Sequence, residues 1–189
     1  MNPNFIFLKS HFNVTEETFL LFQKISKPIS LKAHVAIAKE GEMPSKVYLL
    51  TKGIMRVYFN SESGKEHNKN IFYPISFVGS LTALINKAPS ELTYETLTEC
   101  NVIEMDFAEL MHLRETNLNV SNFYNSILEF VFASYEKRQL EFLSLDATQR
   151  YLNLRKRIPK IDDLIPQYQI ASYLNITPVQ LSRIRKNLR

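Results

Sequence analysis

The chain has 189 residues, 45% hydrophobic and 22% charged, which suits one large or two small folded domains and excludes low-complexity or fibrous classes. No run approaches the roughly 18 apolar residues of a membrane span. The opening MNPNFIFLKSHFNVTEE has neither a basic leader nor a long apolar stretch, so a cytoplasmic protein with no membrane partner is expected. The net charge of +4 is unevenly spread: residues 146–189 hold nine Lys or Arg against three acids, a net of +6, which leaves about −2 for the remainder. A basic C-terminal quarter on a slightly acidic body points to a polyanion, because neutralising phosphates supplies the sequence-independent part of DNA affinity; a merely solvated basic face is the alternative.

The first predicted element is a helix. Thr15 can cap it, Glu16 and Glu17 complement its dipole, and Phe19, Phe22 and Ile25 recur at helical spacing before Pro28 stops it. From Ile29 to Met105 the texture becomes β-rich: HVAIA, KVYLL, IMRVYF, NIFY, LTYETL and NVIEM, separated by turn residues. Two hairpins are expected, KVYLL to IMRVYF with Gly53 in the turn, and IMRVYF to KEHNKNIFY with Gly64 at positive φ. Many short strands at this spacing argue for a sandwich, roll or barrel. The single cysteine, Cys100, cannot form an internal disulfide and by itself holds neither zinc nor an iron–sulfur cluster; it reads as a packed strand residue or, alternatively, a redox sensor.

Helical patterns follow. Asp106 caps DFAEL, with Glu109 placed to complete a capping box. Residues 119–145 contain no Pro or Gly and show two apolar tracks, one through Phe123, Ile127 and Phe130, the other through Tyr124, Leu128, Val131, Tyr135, Phe142 and Leu145. A helix apolar on more than one side has more to bury than its own domain requires. A second copy of the chain is the natural partner, with burial in one large core as the alternative.

Three short helices are expected at the end, the first from Asp146 to Arg157, the others opened by Pro166 and Pro178. The last two have the parts of a helix-turn-helix. Ile170 and Leu174 form an inner face, Ala171 permits close contact, Asn175 can take the left-handed turn conformation, and Ile176, Leu181 and Ile184 complete the core. Exclusion leaves Val179, Gln180, Ser182, Arg183, Lys186 and Asn187 outward, with Arg185 and Arg189 beside them. Gln180 and Arg183 are the candidates for base readout, since Gln pairs with adenine and Arg with guanine. Thr177, Ser182, Arg185, Lys186 and Arg189 are candidate phosphate contacts. A plain helical hairpin is the competing reading of this pair.

A β-roll, a long helix and a helix-turn-helix in this order make the whole chain resemble the Crp/Fnr family of bacterial transcription regulators. GEMPSKVYLLTKGIMRVYFNSESGKE resembles the family's first roll strands, with Gly41, Tyr48, Gly53 and Gly64 at its turns and core tyrosine. FVGSL, residues 77–81, resembles the entry to the phosphate cassette; LSLDATQRYLNL, residues 143–154, resembles the hinge and the first helix beyond it; IASYLNITPVQLSRIRKNL completes the match. The resemblance implies an α+β chain: a cyclic-nucleotide-binding-like β-roll (double-stranded β-helix, jelly-roll type) over residues 1–118, a dimerisation helix over 119–145, and a helix-turn-helix DNA-binding domain over 146–189. It further implies a homodimer on double-stranded DNA with half-sites about one helical turn apart, RNA polymerase as a further partner, and a signal that rotates the DNA-binding domains about Ser144 to Asp146.

The departures bear on the effector. Gly79 is kept, but Ser80 stands where nucleotide-binding members hold the ribose with an acid, and Ser90 and Glu91 stand at their Arg-Ser positions. A phosphate would lose its arginine and meet a carboxylate. Tyr135 and Glu136 replace the polar contacts of the long helix. The candidate pocket is therefore Gly79, Ser80, Ser90, Glu91 and Tyr135, with no cyclic nucleotide or other cofactor expected and the effector unidentified; an empty roll governed by a protein partner is the alternative. Arg189 ends the sequence where family members continue into a β-hairpin wing, so DNA affinity is expected to rest more on Arg185, Lys186 and Arg189. A cupin-type enzyme is not expected, since His11, His34, His67 and His112 stand singly and form no His-x-His metal set.

Overall fold

A computed structural model describes residues 3–12 and 14–188. Two helices come first, α1 (Pro3–Phe12) and α2 (Glu16–Lys24). Thr15 caps α2 as expected, its hydroxyl accepting from the Thr18 amide. Pro28 does not end that helix; it lies inside the first strand. The strands are β1 (Ser26–Leu31), β2 (Ala36–Ala38), β3 (Lys46–Lys52), β4 (Met55–Asn60), β5 (Glu66–Phe72), β6 (Ser76–Val78), β7 (Thr93–Thr96) and β8 (Cys100–Asp106), with helix α3 (Leu81–Asn86) between β6 and β7. Then come α4 (Phe107–Thr116), α5 (Leu118–Ser144), α6 (Ala147–Arg157), α7 (Ile161–Leu164), α8 (Gln167–Tyr173) and α9 (Pro178–Asn187).

The strands form two four-stranded antiparallel sheets, ordered β1-β8-β3-β6 and β2-β7-β4-β5. Their facing sides enclose a core of Tyr48, Leu50, Met55, Val57, Phe72, Val78, Tyr94, Cys100 and Val102. Cys100 is thus a packed strand residue, its thiol pushed up in pKa chiefly by burial. The alternation of a strand explains why the first sheet has two apolar faces. Tyr48 and Leu50 point between the sheets, whereas Val47 and Leu49 point outward under helices, where Leu49 meets Phe5, Phe19 and Phe123, and Val47 meets Phe107 and Tyr124.

The hairpin expected at Gly53 does not form. β3 and β4 belong to different sheets, and Gly53 carries the chain across the gap between them at φ +95°. A Cβ there would lie 2.3 Å from the Glu99 carbonyl oxygen and 2.6 Å from the Cys100 sulfur. The β4–β5 hairpin does form, closed by Gly64 at φ +76°, whose amide donates to the Ser61 carbonyl at 2.8 Å. Asp106 caps α4 by accepting from the Ala108 and Glu109 amides, but the return bond from the Glu109 side chain is absent, so the expected capping box is half formed.

The long helix α5 ends at Ser144, and Leu145 and Asp146 are extended (φ −109°, ψ 144° and φ −71°, ψ 170°) before α6 starts with a complete Asp146–Gln149 capping box. The C-terminal core of Tyr151, Leu154, Ile158, Ile161, Ile165, Ile170, Leu174 and Leu181 is continuous with Ile54, Ile71 and Leu97 of the roll. The C-terminal helices therefore pack on the outer face of the second sheet, chiefly α8 against β5.

Gly53→Ala is expected to destabilise by about 2–4 kcal/mol, combining positive-φ strain with a backbone clash, whereas Gly64→Ala, with open space around the added carbon, costs about 1 kcal/mol. Urea unfolding midpoints of the two variants compare them directly.

Candidate nucleic-acid interface and effector pocket

The last two helices are joined as a helix-turn-helix. α8 ends at Leu174, Asn175 takes the left-handed conformation at φ +53°, and the Ile176 amide donates back to the Ala171 carbonyl at 3.0 Å. Ile170, Ala171, Leu174 and Leu181 are buried, with Ile176 and Ile184 packed against them. Pro178 opens α9 behind the Thr177 cap. This is the turn that the sequence led one to expect, built on the residues expected to build it.

The outward residues divide into three groups. Val179, Ser182, Arg183 and Lys186 are exposed along α9. Gln180 is exposed too, but its side-chain oxygen accepts from the Thr177 amide at 2.8 Å while the Thr177 hydroxyl accepts from the Gln180 amide at 3.1 Å. The two residues form a capping box, so the Gln180 side chain is already engaged at the helix start. Arg185 is half-buried and turns inward, its Nε 3.5 Å from Asp162, which Arg155 also approaches at 3.8 Å. The same carboxylate accepts from the Tyr151 hydroxyl at 2.7 Å, and burial first, then this bond, push the Tyr151 phenol up to about 12. Arg185 is thus drawn toward Asp162 by charge, without a hydrogen bond: that buried carboxylate oxygen has no hydrogen-bond partner among the described residues. Arg189 lies outside the described residues.

The connection to α5 is strapped by three arginines. Arg150 donates to the Phe142, Leu145 and Leu174 carbonyls at 3.1, 3.3 and 3.2 Å and stacks on the Phe142 ring. Arg157 bonds Glu141 at 3.0 Å. Arg138 donates to the Tyr173 carbonyl at 3.2 Å with its guanidinium 3.6 Å from that ring's centre, and its burial lowers its pKa. Sequence reasoning missed the second attachment, on the roll. Asn68 of β5 donates through its amide group to the Gln169 backbone and side-chain oxygens at 3.0 and 2.7 Å, and its backbone N–H donates to the Ser172 hydroxyl at 2.9 Å. Arg56 of β4 reaches the same Gln169 oxygen at 3.2 Å while donating to Glu66 and Glu95, each as close as 2.6 Å. The one available signal was Arg56 itself, a charge within the apolar run IMRVYF.

Of the five residues assigned to the ligand pocket, the structure brings two together. Gly79 and Tyr135 line a cavity of about 920 Å³ that runs along the first sheet beneath α2, α4 and α5. Ser80, Ser90 and Glu91 do not line it. The two serines are buried and hydrogen-bonded to each other at 2.8 Å, and the Ser90 hydroxyl also donates to the Leu92 carbonyl at 2.6 Å, while Glu91 is exposed. The two hydroxyls thus satisfy one another inside the protein. The lining also includes Phe72, Tyr94, Val131 and Phe132. Tyr94 is held up to about 12, chiefly by burial and then by Tyr135, and stays a neutral phenol.

The second half of α5 leaves Phe132, Leu140 and Leu143 exposed at 70%, 59% and 76%. None of the three lies on the two apolar tracks read from the sequence. The first track is largely spent inside the molecule, with Phe123 buried and Ile127 packed over it.

Residues 28–117 match the model of the cyclic nucleotide-binding domain. No curated protein matches the chain by sequence. Among solved structures, the global regulator CLP of Xanthomonas campestris, described as c-di-GMP responsive, is similar at 17% identity and TM-score 0.69, over 92% of this chain and 91% of that one. FixK2 of Bradyrhizobium japonicum gives 18% identity and TM-score 0.71 over 87% and 84%. A Eubacterium rectale protein assigned to the transcriptional regulators of the Crp/Fnr family gives 14% and 0.69 over 93% and 83%. At these identities the likeness establishes the fold: a cyclic-nucleotide-binding β-roll, a long helix and C-terminal helices arranged as in Crp/Fnr regulators.

Asn68→Ala removes the two side-chain bonds that tie α8 to the roll, and a loss of about 1–3 kcal/mol is expected. Faster protease cleavage near Ser144 to Asp146, together with a lower thermal midpoint, would register the loosened attachment.

Proposed function

We propose that this chain, built on the Crp/Fnr fold, is a sequence-specific DNA-binding transcription regulator that acts as a homodimer and does not respond to cyclic nucleotides. The observation that carries the reading is α9: a helix started by a Thr177 cap, pinned to α8 through the left-handed Asn175, with Arg183 and Lys186 free on its outer face. Such a helix fits the major groove, where Arg183 can read guanine and Lys186 and Ser182 can meet phosphates. Gln180 becomes a base reader only if DNA competes with its capping bond.

Dimerisation is supported by the apolar surface of α5, since Phe132, Leu140 and Leu143 expose more large hydrophobic area on one helix than a solitary helix in water keeps without a partner. Two copies joined there would present two recognition helices to a two-fold symmetric site. The extended Leu145–Asp146 link is the natural pivot, and the three arginine straps and the Asn68–Gln169 bonds set the relative stability of the orientations it allows. The buried Ser80–Ser90 pair supports the absence of a cyclic nucleotide response.

Selection of bound sequences from random duplex DNA is expected to return a symmetric motif. Arg183→Ala should relax preference at one base pair per half-site by about 1–3 kcal/mol, while Lys186→Ala should weaken all sites alike and reduce the salt slope by about one. Failure of the full chain to enrich any DNA at low salt would refute the proposal. Phe132→Asp and Leu143→Asp together should shift the protein to monomer in sedimentation and abolish recognition of the symmetric site.

A further inference from the structure

We infer that the cavity beneath α5 binds a lipophilic carboxylic acid, its hydrocarbon part among the aromatic and aliphatic side chains and its carboxylate at Lys69. The lining is dominated by apolar residues, and Lys69 is the one charged side chain in it, with no Asp or Glu among the described residues that form its walls. A volume of about 920 Å³ lies within the range of small-molecule sites, about 300–1,000 Å³. A neutral hydrocarbon would draw nothing from the ammonium at the cavity's solvent-exposed edge, and a dianion would leave a charge uncompensated. A monoanion with a long apolar body matches both features.

Lys69 is placed there by a local irregularity. In the β4–β5 ladder Val57 pairs with Asn70 and Tyr58 with Asn68, so Lys69 is the extra residue of a β-bulge. A bulge re-aims the side chain it carries, and such devices concentrate beside functional sites. Here it directs the ammonium toward α5, where Lys69 Nζ lies 5.8 Å from the centre of the Tyr135 ring at the edge of the cavity. Among the described residues Lys69 takes part in no salt bridge, whereas Arg56 on the neighbouring strand is paired with two carboxylates. The flanking Asn68 is tied to Gln169 of α8, so the bulge joins the cavity to the attachment of the helix-turn-helix. An acid held at Lys69 would bear on that attachment. Cyclic nucleotides share the negative charge, but they bring many polar groups whose desolvation this lining does not repay.

Calorimetric titration of the intact chain with laurate, 1-dodecanol and cyclic AMP, all below micelle-forming concentrations, tests the assignment. Laurate is expected to bind saturably at one per chain and more tightly than dodecanol. Lys69→Met, an exposed substitution that leaves the fold intact, should weaken laurate about five- to tenfold without affecting dodecanol, and Lys69→Arg should restore it. Absence of saturable laurate binding, equal laurate affinity in Lys69→Met, or displacement of laurate by lower concentrations of cyclic AMP would overturn it. Only the consequence for DNA rests on the regulator reading above: saturable, Lys69-dependent uptake by a chain that enriches no DNA would uphold the pocket and sink the regulator.

Discussion

The arrangement of the whole molecule turns on Arg56. Its guanidinium is almost completely buried on the outer face of the second sheet, a position that is costly for an unpaired charge. Burial acts to lower its pKa, but hydrogen bonds from it to Glu66 and Glu95 outweigh that and hold it above its ordinary value, so it stays charged. With both carboxylates engaged, the remaining donor capacity points at Gln169 of α8. The C-terminal helices are what close this face from water. The strands supply the charge, the acids satisfy it, and the C-terminal helices cover it.

The first sheet solves its own problem differently. Its outer face is apolar, and α2, α4 and the first half of α5 bury it, with Phe12 edge-on to Phe77, Phe123 and Phe130 at ring separations of 5.4 to 5.8 Å. The second half of α5 has no sheet left to cover and runs out with its phenylalanine and leucines in the open. One helix thus belongs to two environments, packed against the sheet at its start and, toward its end, held on one side by the C-terminal helices with Phe132, Leu140 and Leu143 left exposed. The arginine straps at Arg138, Arg150 and Arg157 join that outer half to the C-terminal helices α6 and α8.

Local chemistry was legible in the sequence to the extent that its causes were local. Thr15 and Asp106 cap helices as read, because a short polar side chain needs only the next turn to bond with; Asp146 and Thr177 cap by the same rule, although the sequence reading places the first inside its helix and the second against phosphate. Asn175 adopts the left-handed turn for a reason contained in the residue itself. The misreadings have equally definite origins. Pro28 looks like a helix stop, yet β1 is an edge strand, where a missing N–H can face away from the ladder. The strands flanking Gly53 are close in sequence, and closeness suggests pairing unless the chain is crossing between sheets. The Thr177 and Gln180 spacing is itself a capping-box pattern, a local bond that the sequence reading of Gln180 did not take into account.

The sequence by itself determined the order of the parts: a β-rich body, a long helix without breakers, and a basic pair of helices joined by a left-handed residue. Those features depend on period, caps and turn propensity, which act over a few residues. Only the tertiary structure decided which polar groups would meet. Ser80 and Ser90 hydrogen-bond each other, Arg185 turns in to Asp162, Asn68 finds Gln169 101 residues away, and a bulge sets Lys69 beside Tyr135. These pairings follow from how two sheets and nine helices of the described chain close on one another, and no local period encodes that closure.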